Sequence, residues 1–341
     1  MSEERCEPLD LDAAPALRAS REATRAMNAE LACALAASAP ELGPMLTVAA
    51  AGSHGRLEAG PDSDIDCLLV VDGSSALAAS AVHGAVDRVM RLFAAHGLEL
   101  PKADGIYRSP ITPAELCAQE ALGSLAETPA VFGKRMQVLL DARPLYAPEA
   151  FRRLRASILD WYGTGFVTRH DARWTYLLND LQRYLHAYAG WQQYRFDRSV
   201  KDGWYLRQAK LRSSRMLTFA GLLFLLGAAS AREGDRRAWL EAALDLTPLE
   251  RIAAVMRPAD PAGFAALLAA YERVHARLAD PAVRRRLAAE SPASWRAIPA
   301  RYDGIYAEIH AETGVILASL TNFVLSRRGV WAQDFLNYLV F

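Results

Sequence analysis

The hydrophobic pattern divides the chain into a mixed first part and a helical second part. Two short apolar runs, Met45–Ala51 and Asp64–Val71, are rich in aliphatic residues, flank a glycine-containing loop and predict strands. Helical spacing predicts a helix before them, from about Leu11 to Ala37, and another after them that ends at Gly97. The predicted order of helix, strand, loop, strand and helix is typical of a small α+β domain.

Beyond this part the pattern is almost entirely helical. Residues 131–147 form a short apolar stretch that fits either a strand or a helix. Helical runs follow at about 148–162, 171–194, 203–229, 235–245, 248–256, 261–278, 280–289 and from 294 through the C-terminus. We therefore expect an α/β (α+β) domain with a small mixed sheet over residues 1–150, followed by an all-α helical-bundle domain over residues 151–341.

Composition excludes several classes of protein. The 341 residues include 39 basic and 39 acidic side chains, so the formal net charge is zero, and 52% are hydrophobic. A chain this apolar is not disordered in its main state. A neutral chain is also a poor candidate for coating nucleic acid or an anionic membrane, so any anion site must be local.

The cysteines and the longest apolar run predict a cytoplasmic protein with no membrane partner. Cys6, Cys33, Cys67 and Cys117 are far apart and lack metal-ligand or redox spacing, so they are expected to be reduced thiols. The acidic start MSEERCEPLD has no export-signal pattern. Met216–Ala229 is shorter than the roughly 20 residues that span a bilayer, and it predicts a buried helix.

The candidate chemistry lies between the two predicted strands. Alternate side chains of a strand share a face, so Asp64 and Asp66 are expected to point the same way, about 7 Å apart at the backbone, while Ile65 faces the core. Two aligned carboxylates can bind hard cations such as Mg²⁺. Two such ions about 4 Å apart would activate an attacking group and neutralise a leaving pyrophosphate.

The preceding segment, Gly52-Ser53-His54-Gly55-Arg56, has residue types that suit a phosphate site. Gly52 allows a close turn under a bulky anion, and the Ser53 hydroxyl can donate a hydrogen bond to a phosphate oxygen. Gly55 adds a second tight turn, and Arg56 adds a forked cation that binds either a phosphate or the loop itself. His54 either contacts phosphate or is simply an exposed loop residue.

These residues resemble the DNA polymerase beta-like nucleotidyltransferase superfamily, which is marked by a strand ending in Gly-Ser and a following Asp-x-Asp strand. The string GSHGRLEAGPDSDIDCLLV is similar to the branch that contains glutamine synthetase adenylyltransferase and PII uridylyltransferase. The resemblance implies that Gly52 and Ser53 hold a nucleoside triphosphate and that Asp64 and Asp66 bind two Mg²⁺ ions. It also implies a third, base-supplying carboxylate, for which Asp104 and Asp141 are the candidates; if neither reaches the metals, the chain could bind a nucleotide without transferring it.

The second part has a weaker resemblance to bacterial nucleotidyltransferase-like proteins with a helical second domain, carried by RMQVLLDARPLY, LLNDLQRYLHAY and LRQAKLRSSRML. In the last block Arg207, Lys210 and Ser214 share a helix face, and Lys210 can reach a triphosphate. Arg215 is a further cation candidate, although five residues displace it from Lys210 around a regular helix. The alternative for Lys210 and Arg215 is an ordinary solvated or ion-paired face.

The expected activity is transfer of a nucleoside monophosphate, AMP from ATP, onto a hydroxyl group with release of pyrophosphate. The acceptor is a small molecule, a protein or an RNA end, and the first two are favoured because no RNA-binding pattern is present. The alternative is a catalytically silent module that binds a nucleotide and regulates a partner. The uncertain third carboxylate keeps this alternative open.

Overall fold

The computed structural model describes residues 9–60, 63–73, 78–102, 105–121, 124, 127–163, 174–198, 203–292 and 304–340. In this part of the chain the protein is an α+β fold, mostly helical, with a three-stranded antiparallel sheet. The sheet and the helices near it are α1 Pro15–Ala37, β1 Met45–Ala51, α2 Gly52–Arg56, β2 Asp66–Val71, α3 Ala79–Ala95, α4 Pro113–Leu116, α5 Pro129–Leu140, β3 Arg143–Tyr146 and α6 Pro148–Gly163.

The remaining elements are helices. They are α7 Thr175–Arg198, α8 Trp204–Lys210, α9 Met216–Ala231, α10 Arg236–Ala243, α11 Pro248–Met256, α12 Pro261–Ala279, α13 Pro281–Ala289, α14 Gly304–Ser326 and α15 Gln333–Val340. A π-helical turn, Leu211–Arg215, joins α8 to α9. The two predicted strands and the helices around them are confirmed. The ambiguous stretch 131–147 contains both alternatives, since it holds most of α5 and all of β3.

The sheet has the order β2-β1-β3, and β1 pairs antiparallel with both neighbours. The described strands therefore form an antiparallel sheet and not the mixed sheet that was expected. Parallel pairing occurs there as two isolated bridges, Asp64 with Glu99 and Val70 with Ile111. The segment after α3 follows the outer edge of β2 without becoming a strand of its own.

One cluster of core side chains covers one face of the sheet, and Leu68 and Val70 on the other face are buried as well. The clustered side chains are Val48 and Ala50 from β1, Ile65, Cys67 and Leu69 around β2, Leu31 and Leu35 from α1, and Val89 and Phe93 from α3. Because side chains alternate along a strand, Asp64 and Asp66 project to the opposite face. Burial follows this pattern, since Ile65 is fully buried while Asp64 is exposed.

The chain divides into two compact units, which we call the sheet unit, Ser20–Leu177, and the helical unit, Met1–Ala19 with Leu178–Phe341. This division differs from the predicted one at residue 150. Helix α6 belongs to the sheet unit, where it packs against β1. The start of α1 belongs to the helical unit, where the amides of Ala16 and Leu17 donate to the Glu272 carboxylate at 2.8 and 3.0 Å.

In the helical unit α9 packs against α11 and α12 against α14. Two described helices are long and apolar enough to span a membrane by length and composition alone, Trp204–Ala231 and Gly304–Ser326. The most apolar 18-residue segment of Trp204–Ala231 is 67% buried, as expected for a core helix, and that of Gly304–Ser326 is 28% buried. The first contains the run Met216–Ala229 that was predicted to be buried.

Close packing at Gly227 gives a test of this core. A Cβ on Gly227 would lie 2.6 Å from the buried Trp331 ring, whereas a Cβ on Gly314 in α14 would meet nothing within 4 Å. We expect Gly227→Ala to lower the free energy of unfolding by about 1–3 kcal/mol through overpacking. Gly314→Ala should raise it by about 0.5–1 kcal/mol, because alanine is the better helix former. Denaturant unfolding measures both, and equal effects would contradict this packing.

Candidate functional site

The turn after β1 brings Gly52 against Asp66. Ala51, the last residue of β1, pairs with Asp66, the first residue of β2. Gly52 has a φ of +61°, and a Cβ placed on it would lie 2.6 Å from Oδ2 of Asp66. Only glycine permits both this backbone conformation and this approach of a carboxylate. The structure thus places Gly52, from the glycine-serine part of the predicted motif, next to Asp66, from its acidic part.

Asp64 and Asp66 lie on the same side of the second strand, away from the α1–α3 core. Asp64 is exposed, Asp66 is half-buried, and Ile65 between them is fully buried. Both carboxylates are therefore on the face that the turn approaches. Ser53, which follows Gly52, is half-buried, and its backbone carbonyl accepts a hydrogen bond of 2.8 Å from the amide of Glu58.

Glu99 is an acidic residue of this site that the sequence reasoning missed. It forms a parallel bridge with Asp64, and the amide of Ile65 donates to the Glu99 carbonyl at 3.2 Å. Residues paired across neighbouring strands project to the same face, so the exposed Glu99 side chain is expected on the face of Asp64. The alternation Leu98-Glu99-Leu100 directly after the Gly97 turn was the signal available in the sequence.

The Arg56 side chain is buried and binds carboxylates of the protein itself. Its guanidinium donates from Nε to Oε2 of Glu58 and from Nη1 to Oδ2 of Asp141, both at 2.9 Å. The Arg56 side chain is only 7% exposed. Of its two expected roles, binding the loop itself is the one that this geometry provides. Arg56 is therefore not an exposed phosphate contact, since carboxylates face both edges of its guanidinium.

Asp141 supports the turn from the end of α5. Besides its ion pair with Arg56, its backbone carbonyl lies 2.0 Å from where a Cβ on Gly55 would be. Gly55 is thus required for close contact between α2 and the end of α5. Since its buried carboxylate neutralises Arg56, Asp141 is a poor candidate for the third metal-binding carboxylate. The rival candidate, Asp104, lies outside the described residues.

His54 is buried, contrary to the exposed loop position that was one alternative for it. It is 3% exposed, and its Nδ1 lies 3.2 Å from Oδ1 of Asn28 in α1. Burial lowers the pKa of His54, and the nearby negative charge of Asp64 offsets part of that effect. The ring is accordingly neutral near pH 7. Asn28 is a second residue near this turn that the sequence reasoning missed.

Lys210 and Arg215 belong to the helical unit, where Lys210 directly precedes the π-helical turn and Arg215 is its last residue. In that turn the amide of Met216 bonds to the carbonyl of Leu211, five residues back, so residues five apart lie above one another. The displacement expected for a regular helix therefore does not apply to this pair. Lys210 is exposed, and the guanidinium of Arg215 lies 5.2 Å from the centre of the Tyr188 ring.

The acidic residues of the sheet unit suit magnesium with a nucleotide better than magnesium alone. Among the described residues, no group of three or more His, Cys, Asp or Glu side chains is arranged to hold a metal ion. Mg²⁺ commonly takes one or two carboxylates together with substrate phosphates and water. Asp64 and Asp66 beside the Gly52 turn fit that kind of coordination.

The contact between Gly52 and Asp66 predicts a difference between two glycines. Gly52 and Gly97 both have positive φ, but a Cβ on Gly97 would meet nothing within 4 Å. We expect Gly97→Ala to lower the free energy of unfolding by about 1–2 kcal/mol, the cost of a left-handed alanine. Gly52→Ala should lower it further, because the methyl group also meets the Asp66 carboxylate. Denaturant unfolding measures both, and equal losses would exclude the contact.

The lowered pKa of His54 predicts the sign of a pH effect. As pH falls through the ordinary value near 6.5, His54 of the unfolded chain binds a proton before that of the folded chain does. The unfolded state then holds more protons, so stability falls with decreasing pH. We expect the free energy of unfolding to fall less steeply between pH 7.5 and 5.5 in His54→Gln than in the wild type. Equal slopes in urea unfolding would contradict a buried neutral ring.

Comparison with known proteins does not extend the motif-level resemblance. No family model matches the chain, and no curated protein matches it significantly. The functional assignment therefore depends on the Gly52 turn and the acidic residues beside it.

Proposed function

We propose that the protein is a magnesium-dependent nucleotidyltransferase that moves a nucleoside monophosphate, AMP from ATP, onto a hydroxyl group and releases pyrophosphate. The observation that carries this proposal is the approach of Asp66 to Gly52, within 2.6 Å of the missing Cβ. This approach brings a turn suited to a triphosphate next to a pair of carboxylates suited to magnesium. Both parts are required for this chemistry, and each alone is common in proteins that do none of it.

Each residue of the site has a separate role in the proposal. Asp64 and Asp66 would hold magnesium, which supplies charge neutralisation for the leaving pyrophosphate. The Ser53 hydroxyl donates to a phosphate oxygen, and Gly52 leaves room for the triphosphate beside the strand. Positioning of the nucleotide against the acceptor hydroxyl contributes much of the remaining rate enhancement.

Glu99 is proposed as the carboxylate that accepts the hydroxyl proton and not as a third metal ligand, since the described residues contain no three-membered metal-binding group. The acceptor oxygen attacks the α-phosphorus, the bond to pyrophosphate breaks, and the hydroxyl proton passes to a carboxylate. Glu99 is bridged to Asp64 and exposed, whereas Asp141 is committed to Arg56. Asp104 stays the alternative for this role.

Lys210 and Arg215 are proposed as cations that bind the nucleotide. The π-helical turn aligns residues five apart, which supports a shared function for this pair. The acceptor is proposed to be a small molecule or a protein rather than a nucleic acid, and the protein is proposed to act in the cytoplasm. Zero net charge supports the choice of acceptor.

A catalytically silent nucleotide-binding module is the second candidate. It is favoured by one observation, that the described residues contain no three-membered metal-binding group. Such a module would bind the nucleotide with magnesium but release no pyrophosphate. The two candidates therefore differ in turnover and not in binding.

Labelled nucleotides test the enzymatic proposal. Incubation with Mg²⁺ and each labelled nucleoside triphosphate, in a lysate that supplies acceptors, should release pyrophosphate and label an acceptor. Asp64→Asn or Asp66→Asn should slow release at least about a hundredfold, because a lost metal ligand removes several kcal/mol of charge stabilisation. Asp87→Asn on the exposed surface of α3 is the matched control and should not change the rate.

Full turnover in Asp64→Asn would exclude the assignment of the metal-binding pair. Nucleotide binding without pyrophosphate release, over many acceptors, would favour the silent module. Glu99→Gln in the same assay should slow release while leaving nucleotide affinity unchanged. Release at the wild-type rate in Glu99→Gln would return Asp104 to the role of third carboxylate.

A further inference from the structure

Helix α1 presents two buried polar side chains to the turn and to the loop that follows it. Thr24 and Asn28 are one helical turn apart, so they share a face, and they are 2% and 7% exposed. The same face continues into Leu31 and Leu35 of the core. Burying a polar side chain costs free energy unless it is hydrogen-bonded. The hydrogen-bond partners of Thr24 and Asn28 therefore show which segment of the chain is fixed in place by α1.

Apart from the Ser20 carbonyl in α1, to which the Thr24 hydroxyl donates at 2.6 Å, the partners are the backbone and ring of His54 in the turn and the backbone of the loop that follows. Nδ2 of Asn28 donates to the His54 carbonyl at 3.1 Å, and Oδ1 of Asn28 lies 3.2 Å from Nδ1 of His54. Oγ1 of Thr24 accepts from the amide of Ala59 at 3.0 Å. Asn28 thus binds the residue immediately after Ser53, and Thr24 binds the chain five residues further on.

The two Asn28 contacts fix the tautomer of His54. A carbonyl oxygen only accepts, so the amide nitrogen of Asn28 must face the His54 carbonyl, and its amide oxygen must face the ring. That oxygen is an acceptor, so Nδ1 of His54 carries the hydrogen. In the neutral ring Nε2 then has a lone pair and no hydrogen. It cannot donate to a phosphate oxygen, which makes His54 unsuitable as a direct phosphate ligand.

The turn is located by contacts on several sides. Gly52 is already as close to Asp66 as a residue without a side chain allows, and Gly55 is in close contact with the Asp141 carbonyl. Both contacts are steric and set only a minimum distance. They do not prevent the turn from moving away from Asp66 and Asp141 or from rotating.

The two hydrogen bonds between Asn28 and His54 supply such a restraint one residue from Ser53. The ion pair of Arg56 with Asp141 supplies another at the far end of the turn. Misplacing a reacting group by about 1 Å can cost about a hundredfold in rate.

We propose that Asn28 is a positioning residue of the nucleotide site, which acts through His54 to hold Gly52 and Ser53 in the place where a triphosphate is bound. This inference rests on the proposed function, and it adds a residue from a helix that carries no part of the recognised motif. Asn28 touches neither the nucleotide nor the metal in this account. Its effect is transmitted by the backbone of the turn.

The test separates positioning from stability. Asn28→Ala removes both contacts to His54. Thr47→Val is the matched control, because it removes another buried side-chain hydrogen bond of the sheet unit, the 2.6 Å bond to the Tyr146 carbonyl at the other end of β1. For each protein we would measure the free energy of unfolding, the Kd of a nonhydrolysable ATP analogue with Mg²⁺, and KM and kcat for ATP.

We expect Asn28→Ala to raise Kd and KM at least about tenfold at a temperature where it is fully folded. Thr47→Val should change either constant less than about twofold although it also loses stability. The double variant Asn28→Ala/His54→Ala should lose less affinity than the sum of the two single losses, because the contact between Asn28 and the His54 ring is absent from both single variants.

Equal affinity of Asn28→Ala and the wild type would overturn the positioning role, as would weakening by both variants in proportion to lost stability. An additive double variant would also overturn it, since Asn28 would then act independently of His54. A wild-type protein that shows neither magnesium-dependent nucleotide binding nor turnover removes the proposed function itself, and the positioning role with it. Binding by the wild type that Asn28→Ala leaves unchanged removes the positioning role alone.

Discussion

The contact between the Asp66 carboxylate and the backbone of Gly52 is the constraint on which the rest of the site depends. It requires the absence of a side chain at Gly52, a positive φ at that residue, and the pairing of Ala51 with Asp66 at the ends of two antiparallel strands. A register shift of one residue between β1 and β2 would turn Asp66 toward the core and place Ile65 on the other face. The register that buries Ile65 and Cys67 in the α1–α3 core therefore also sets the face on which Asp66 lies.

Buried polar groups hold this turn in place. Arg56, a residue of the turn, forms ion pairs with Glu58 and Asp141, and Asn28 of α1 is hydrogen-bonded to His54. Burying charges costs desolvation energy, so such pairs add little net stability, although removing one partner is strongly destabilising. Their value here is geometric. They leave the turn with a single position relative to the second strand, which is what a site for a bound anion requires.

The strands, most helices and the approach of the turn to Asp66 followed from the sequence, because the apolar runs, the Asp64-Ile65-Asp66 alternation and the glycines between the strands are local signals. The loop-binding role of Arg56 was one of two that the sequence offered, but its ion pair with Asp141 joins residues 85 positions apart and no local pattern records it. Glu99 was missed because its bridge to Asp64 depends on where the chain returns after α3. The alignment of Lys210 with Arg215 was misjudged because the sequence was read with a regular helical period across a π-helical turn.

The most direct test of the central claim is calorimetric titration of the wild-type protein with a nonhydrolysable ATP analogue, with and without Mg²⁺. A turn and a carboxylate pair that meet at Gly52 and Asp66 predict saturable uptake that depends on the metal, because the phosphates and the two acids share it. Absence of any magnesium-dependent uptake, for ATP and for the analogues of the other nucleoside triphosphates, would contradict the account.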